Sequence, residues 1–476
     1  MFNLSIEIVY NIILSWYHVI IYFRIIGGLE MDIIIVTALT TITLFFSVYR
    51  DYFLGYPLIL SFIMFSFLAY RKGYTFKRIM KMGYNGGSKV FTILKIFTLI
   101  GCITAIWMVS GTVPGIVYYG IKLMSPNYFV LYTFLICCLI SFLLGTAFGT
   151  VSTVGVALMV IARGGGTNLN LITGAIIAGA YFGDRMSPMS SSANLLATLT
   201  DTDLYINIKT KFKTAIIPFI LTVILYTIFS IAQPLNLAES TMSTDILNTF
   251  KINLWVLLPA VIILIMAAFK IDVKISMLFS IISALVIGFL LQDYSFIESI
   301  KYMIFGFHLE PGHPLEFILK GGGILSMVKV SLIVFISSSI SGVLEGANML
   351  ESLEKFLLQN TSRYKIFIST LLTATITAAF GCNQSISVVL TSHLMKKPYE
   401  NNGLNNYDLA SDIANTSIVI PALIPWNIAG LVPATTLMIT GIKFIPYTFY
   451  LYLIPLINIL YLKIIEIRKH RISLNN

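Results

Sequence analysis

The sequence predicts an all-α polytopic membrane protein, an inverted-repeat architecture with broken or re-entrant helices and roughly ten to thirteen transmembrane segments. Three observations predict it. The first is poverty in charge. Of 476 residues, 57% are hydrophobic and 11% charged, and the mean hydropathy is +0.88. A soluble globular chain carries about 25% charged residues, so this one has too few to cover the surface of a soluble enzyme, and disorder needs the opposite balance. The second is that many apolar runs reach the ~17–25 residues that cross the hydrocarbon core as a helix. The third is a pair of zones, 145–200 and 381–433, which stay apolar on average yet are crowded with small polar residues, and which resemble each other.

The elements follow in order. Residues 1–30 read as an amphipathic surface helix or an imperfect first span. Glu7, His18 and Arg24, with no small-residue cleavage site, argue against a cleavable secretory signal there. Clear spans are expected near 32–49 and 54–70, then a basic loop with Arg71, Lys72, Lys77, Arg78, Lys81 and Lys89, which the positive-inside rule makes cytoplasmic. Spans near 91–110 and 127–144 lead into the first polar zone, and a cleaner span near 214–233 ends a first repeat, 31–240. The stretch 234–250 carries Glu239 and Asp245 but no Lys or Arg, and reads as external. The second repeat, 241–462, has spans near 252–269, 275–291, 322–344, 364–380 and 444–462. An amphipathic piece lies at 293–320 and the second polar zone at 381–433. Residues 463–476 form a basic cytoplasmic tail with Lys463, Arg468, Lys469 and Arg471.

The net charge of +10 reports these cytoplasmic Lys and Arg residues and is no nucleic-acid footprint. Cys102, Cys137, Cys138 and Cys382 form no CxxC and sit in apolar runs, so they read as small buried hydrophobes. Gly164–Gly166 and Gly321–Gly323 lack a phosphate-loop or dinucleotide spacing and read as turns at helix ends. The histidines are scattered, with no HExxH; His393 is a candidate proton relay or a plain structural residue.

Two alignments carry the internal repeat. Residues 145–159, GTAFGTVSTVGVALM, match 381–395, GCNQSISVVLTSHLM, and residues 174–184, GAIIAGAYFGD, match 417–427, SIVIPALIPWN, with Pro188 and Pro433 following. Repeats with an odd number of spans are inverted in the bilayer, and transporters so built bind near the midplane where helices of both halves break. Small residues would serve close helix packing equally well. Asp184, Asn194, Asn383, Gln384 and Asn427 are harder to explain that way, because each is costly at membrane depth unless partnered.

Asp184 is the leading candidate: an ionisable residue within a span is functional by default. Arg185 offers an ion pair instead, but neighbours i and i+1 do not share a helix face. Ser187, Ser190, Ser191, Ser192 and Asn194 supply oxygens beside the helix-breaking Pro188, suited to Na⁺ or to a turn outside the membrane. Thr146 and Thr150, with Ser152 and Thr153, either line a pathway or back-bond to their own helix. Asn383, Gln384 and Ser385 follow Gly381, and Trp426 and Asn427 follow Pro425. Asp412 is either a second ion ligand or an acid at a helix start. The Na⁺ ligand set reads as Asp184, Asn194 and Asn427, with no resident cofactor.

GTAFGTVSTVGVALM, GAIIAGAYFGDRMSPMSSSANL and PALIPWNIAG resemble the NhaC-type Na⁺/H⁺ antiporter family, over most of the chain from about residue 30. The resemblance implies a secondary transporter of a prokaryotic plasma membrane, embedded in the lipid bilayer. It implies exchange of Na⁺ against H⁺ or, in some relatives, coupled movement of an organic acid or amino acid. It carries Asp184, Ser187, Pro188, Asn194, Pro425, Trp426 and Asn427 over as family positions and leaves a homodimer open. Many relatives read SPLSDTTNL where this chain reads SPMSSSANL, so Ser191 stands in place of an acid. That departure keeps a small organic solute, moved with Na⁺ or H⁺, as the alternative cargo. An intramembrane enzyme is not expected, since no HExxH, GxSxG or catalytic aspartate pair is present; a passive channel would differ by its conductance.

Overall fold

The computed structural model describes residues 29–50, 52–88, 90–236, 241–349 and 362–475. The expected first segment up to residue 28, together with Lys89 and Glu239, lies outside them. The described residues are helical, with a single antiparallel bridge between Phe307 and Gly321.

Two apolar helices, α1 (Leu29–Tyr49) and α2 (Gly55–Arg71), come first. The expected basic loop is largely a helix, α3 (Phe76–Ser88). Its Lys77, Arg78 and Lys81 are exposed, while Ile79, Gly83, Gly86 and Gly87 bury the other face. Glycines hid this helix from sequence because they are poor helix formers. There follow α4 (Phe91–Val109), α5 (Thr112–Leu123), α6 (Phe129–Leu144), α7 (Ala147–Gly164), α8 (Leu169–Met186), α9 (Ser191–Leu199) and α10 (Leu204–Ala232). The second half has α11 (Met242–Thr249), α12 (Leu258–Ala268), α13 (Val273–Leu291), α14 (Phe296–Phe305) and α15 (Val328–Gly346). It ends with α16 (Arg363–Gly381), α17 (Gln384–Asn401), α18 (Asn406–Ala414), α19 (Ile428–Thr436) and α20 (Phe449–Asn475).

Among the described residues, eight helices are long and apolar enough to cross a bilayer. A ninth would be the pair Met242–Thr249 and Leu254–Ala268, bent by 97°, and α1 and α2 add shorter apolar helices. Neither α8 nor α17 is among the eight, because polar residues interrupt their runs. On α10 the inward stripe is Asn207, Lys211, Ala215, Pro218, Thr222, Tyr226 and Ser230, and the other face exposes Ile216, Ile217, Ile220, Ile224 and Ile228. Apolar residues face out and polar residues face in, as lipid requires. All four cysteines are free and buried.

Two hairpins organise the molecule. In the first, α6 enters and α7 returns. The amides of Leu235 and Asn236 donate to Pro126 O (3.1 Å) and Gly165 O (3.0 Å), so one short segment ties both hairpin ends. In the second, α16 enters and α17 returns, and Asp412 joins the ends by accepting from Arg363 Nη1 (2.6 Å) and Tyr399 Oη (2.5 Å). Helix α10 measures the distance between these mouths. Asp203, just before it, donates its amide to Tyr407 Oη (3.4 Å) beside the second mouth, and its far end leads to Leu235 at the first. At 1.5 Å per residue its 29 residues span about 43 Å. The hairpins therefore enter from opposite faces, and the halves are inverted.

The second mouth lies on the basic side. Lys72 Nζ donates to Ala347 O (3.0 Å) just past α15, whose end shares a cavity with Leu199, His393 and Lys396. The positive-inside rule would make this face cytoplasmic.

Helix limits in the two halves share one offset, 237 residues. Phe91–Val109 matches Val328–Gly346, Ala147–Gly164 matches Gln384–Asn401, and Ser191–Leu199 matches Ile428–Thr436. The capping residues agree: Asn168 with Asn405, Thr146 with Asn383, Ser190 with Asn427. This corrects the sequence alignment, which paired Gly145 with Gly381, one residue out, and Asp184 with Asn427, six residues out. Residue identity misled it. The conserved quantity is the place where each helix starts, fixed by a side chain that accepts from a free backbone amide.

Candidate functional site

Asp184 lies in the last turn of α8 and is 5% exposed. Its position follows from close packing of α8 on α6: a Cβ on Gly183 would lie 2.1 Å from the carbonyl carbon of Ser141. Past Met186 the chain leaves the helix for the Ser187–Pro188–Met189 turn, where Ser187 Oγ accepts from the Met189 amide (3.0 Å). The turn packs into the first hairpin tip. Gly145, at φ +65°, has Met189 so close that a Cβ would meet its carbonyl carbon at 2.5 Å.

The Asp184 carboxylate is held entirely by neutral donors. Ser190 Oγ donates to Oδ1 (3.1 Å), and Ser192 Oγ (3.2 Å) and Gln384 Nε2 (2.7 Å) donate to Oδ2. Gln384 Nε2 also donates to Ile418 O (3.0 Å). Ser190 and Ser192 open α9, and Gln384 opens α17, so both helices begin at the carboxylate. Ser190 Oγ accepts from the Ala193 amide (3.2 Å) and Asn383 Oδ1 from the Ser385 amide (2.8 Å). Helix N-termini carry partial positive charge, so the converging starts favour an anion there.

Arg185 faces away. Its guanidinium is wholly buried and donates to Ala414 O (3.2 Å), Thr214 Oγ1 (2.8 Å) and Asn415 Oδ1, without an ion pair to Asp184. The Asp184–Arg185 ion pair left open by the sequence is thus not formed.

Other expected site residues take different parts. Thr146 caps α7 (Gly149 N to Oγ1, 3.5 Å), and Thr150 and Thr153 back-bond to Thr146 O (2.9 Å) and Gly149 O (2.6 Å). Val151–Gly155 forms a π turn there. Asn194 is exposed and donates to Ser190 O (2.7 Å) and Pro188 O (3.1 Å); Ser191 and Ser385 are exposed. Trp426 Nε1 and Asn427 Nδ2 donate to Ala379 O (2.8 Å) and Ala378 O (2.7 Å), and the Ile428 amide donates to Cys382 O (3.1 Å). They satisfy carbonyls at the broken end of α16, which a buried helix terminus requires. The side-chain nitrogens of Asn194 and Asn427 are therefore committed to carbonyls. Asp412 stands seventh in α18, not at its start, and is bound by Arg363 and Tyr399. No group of three His, Cys, Asp or Glu side chains suited to a metal occurs among the described residues.

Sequence reasoning counted Ser192 only among the hydroxyls of the 187–194 run and not as a site residue, and it missed Lys211. Placing the span at 214–233 left this lysine in a loop. In the structure it is wholly buried on α10, and its Nζ donates to Arg185 O (3.3 Å). The signal was its register with Asn207, Ala215 and Pro218 on the small and polar face of that helix.

Comparison with known proteins adds to this geometry. The model of the Na⁺/H⁺ antiporter family matches residues 179–464. The chain is 28% identical to the malate-2H⁺/Na⁺-lactate antiporter of Bacillus subtilis, covering 87% of this chain and 90% of that one. It is also 28% identical to the Na⁺/H⁺ antiporter NhaC of Alkalihalophilus pseudofirmus (81% and 86%). Against the arginine/ornithine antiporter ArcD of Halobacterium salinarum it is 26% identical (82% of each chain).

Proposed function

The chain belongs to the Na⁺/H⁺ antiporter family, and we propose that it exchanges Na⁺ against H⁺ across the cell membrane at Asp184. The observation that carries this reading is the partner set of that carboxylate: hydroxyls of Ser190 and Ser192 and the amide of Gln384, with no cation bonded to it. A carboxylate held by neutral donors can take a proton, or it can take Na⁺ while the hydroxyls turn their lone pairs to the ion. A fixed salt bridge would forbid that choice. The inverted halves meet at this group, because Asp184 comes from the first half and Gln384 from the second hairpin. Relative movement of the two would alternate access.

The test is Asp184→Asn in everted vesicles. Na⁺-dependent proton movement is expected to fall to background while the protein stays inserted in the membrane; exchange at the original rate would remove Asp184 from the mechanism.

A second reading is coupled exchange of a small organic solute. Ser191, where many relatives carry an acid, and the wholly buried Arg185 and Lys211 leave more positive than negative charge around Asp184, which suits an organic anion. Uptake of labelled hydroxy acids and amino acids by proteoliposomes separates the readings: accumulation supports the second, and Na⁺/H⁺ exchange alone supports the first.

A further inference from the structure

Because the two halves share one register, equivalent helices can be compared face by face. Helix α9 exposes Ser191, Asn194 and Thr198, which lie on one side at i, i+3 and i+7. Its counterpart α19 exposes no residue. Helix α17 exposes Ser385, Val389, His393 and Lys396 along one face, whereas its counterpart α7 exposes none. The asymmetry falls on one pair: α9 and α17 both start at Asp184, and both run to the cytoplasmic face.

At that face their far ends border a cavity of about 560 Å³. Leu199 of α9, Ser392, His393 and Lys396 of α17, and Glu345 and Asn348 at the end of α15 line it. Ser392 is 5% exposed, yet its Oγ has no hydrogen-bond partner. A buried hydroxyl left unpaired costs free energy unless water or a ligand meets it. Asn194 and Thr198 bond back to backbone carbonyls, but the polar face that they expose with Ser191 is one that lipid solvates poorly.

The outer face differs. Segment 306–323 covers it, with Leu315 and Leu319 buried, Gly323 N donating to Gly101 O (2.7 Å), and Arg163 bonding Ile318 O (3.4 Å) and Leu437 O (2.8 Å). A smaller cavity of about 330 Å³ lies there, bordered by Thr104, His308 and Thr435. The buried helices α7 and α19 extend no exposed face from it.

We propose that the cleft between α9 and α17 is a water-filled route by which hydrated monovalent cations and protons reach Asp184 from the cytoplasm, and that the structure is the inward-open state. The ion identity rests on the reading of Asp184 given above; the route itself does not.

The test is thiol accessibility. The four native cysteines are buried, so the parent protein supplies a low baseline. Thr198→Cys, Val389→Cys and Ser191→Cys sample the cleft from mouth to carboxylate. Leu372→Cys, on an exposed apolar position of α16, is the lipid-facing control. A charged, membrane-impermeant methanethiosulfonate is applied to inside-out and to right-side-out vesicles. Only a thiolate reacts, and a thiol in lipid does not ionise. All three cleft variants are expected to label at least about tenfold faster than Leu372→Cys from the cytoplasmic side, in the order Thr198, Val389, Ser191. Labelling no faster than the control, or faster from the outer side, overturns the proposal. Repeating the assay with Asp184→Asn separates the two readings: labelling that persists while exchange is lost leaves the route standing, independent of the coupling residue.

Discussion

The two halves carry their buried acids in opposite ways. In the first, Asp184 ends an unbroken helix and is bound by two hydroxyls and an amide. In the second, the helix in the same register stops at Ala414, and Pro421 stands where Asp184 would fall. Its acid, Asp412, lies earlier and is locked between Arg363 and Tyr399 at the mouth of the second hairpin. Both carboxylates are buried and both sit in polar zones, yet only one is free to change partners. Inverted duplication has conserved helix starts and diverged in what the helices hold.

Substitutions can break or sharpen this contrast. The largest effect on activity is expected at Asp184, as described, with thermal stability close to that of the parent. Asp412→Asn should show the reverse. It leaves Arg363 largely buried without its counter-charge, which costs about 3 kcal/mol, so the melting temperature in detergent drops while exchange per folded molecule survives. Equal loss of exchange in both variants would erase the distinction. Next comes Gln384→Ala. Removing the amide that reaches Asp184 from the other half should weaken apparent Na⁺ affinity by about tenfold, or ~1.4 kcal/mol, read as the Na⁺ concentration giving half-maximal exchange. No change would mean that the second half does not bear on the carboxylate. Smallest are the matched caps. Asn427→Ala loses a cap and strands Ala378 O, costing about 2 kcal/mol. Control substitution at the exposed Ser191, to Ala, should alter stability by less than about 0.5 kcal/mol. An Asn427→Ala protein as stable as Ser191→Ala would argue that the Pro425–Trp426–Asn427 segment does not secure the end of α16.

Much of this was legible in the sequence because hydropathy is a local property. The spans near 91–110, 127–144, 275–291 and 364–380 coincide with helices to within a few residues. Asp184 was legible because a lone acid after an apolar run is rare at membrane depth, and Gln384 because it opens the matching zone. What sequence withheld was direction. Asn194 and Asn427 carry the amide oxygens of ligands, and only the backbone reveals that Trp426 and Asn427 serve carbonyls of a broken helix. Lys211 was passed over because a charge near a span end looks like a loop residue. Its i+4 partners, Asn207 and Ala215, marked it as facing inward. Helix α3 was lost to glycine content, since its burial comes from close approach to α15, where Gly86 would place a Cβ 2.3 Å from Ser338 O.

One amide nitrogen serves two masters. Gln384 Nε2 holds both the Asp184 carboxylate and the carbonyl of Ile418, which lies in the unwound stretch after α18. On the proposed reading, a cation arriving at Asp184 would repel that N–H group and favour rotation of the side chain to offer its oxygen. That rotation would release Ile418 O as well, so loading of the first half would reach the backbone of the second through a single side-chain torsion.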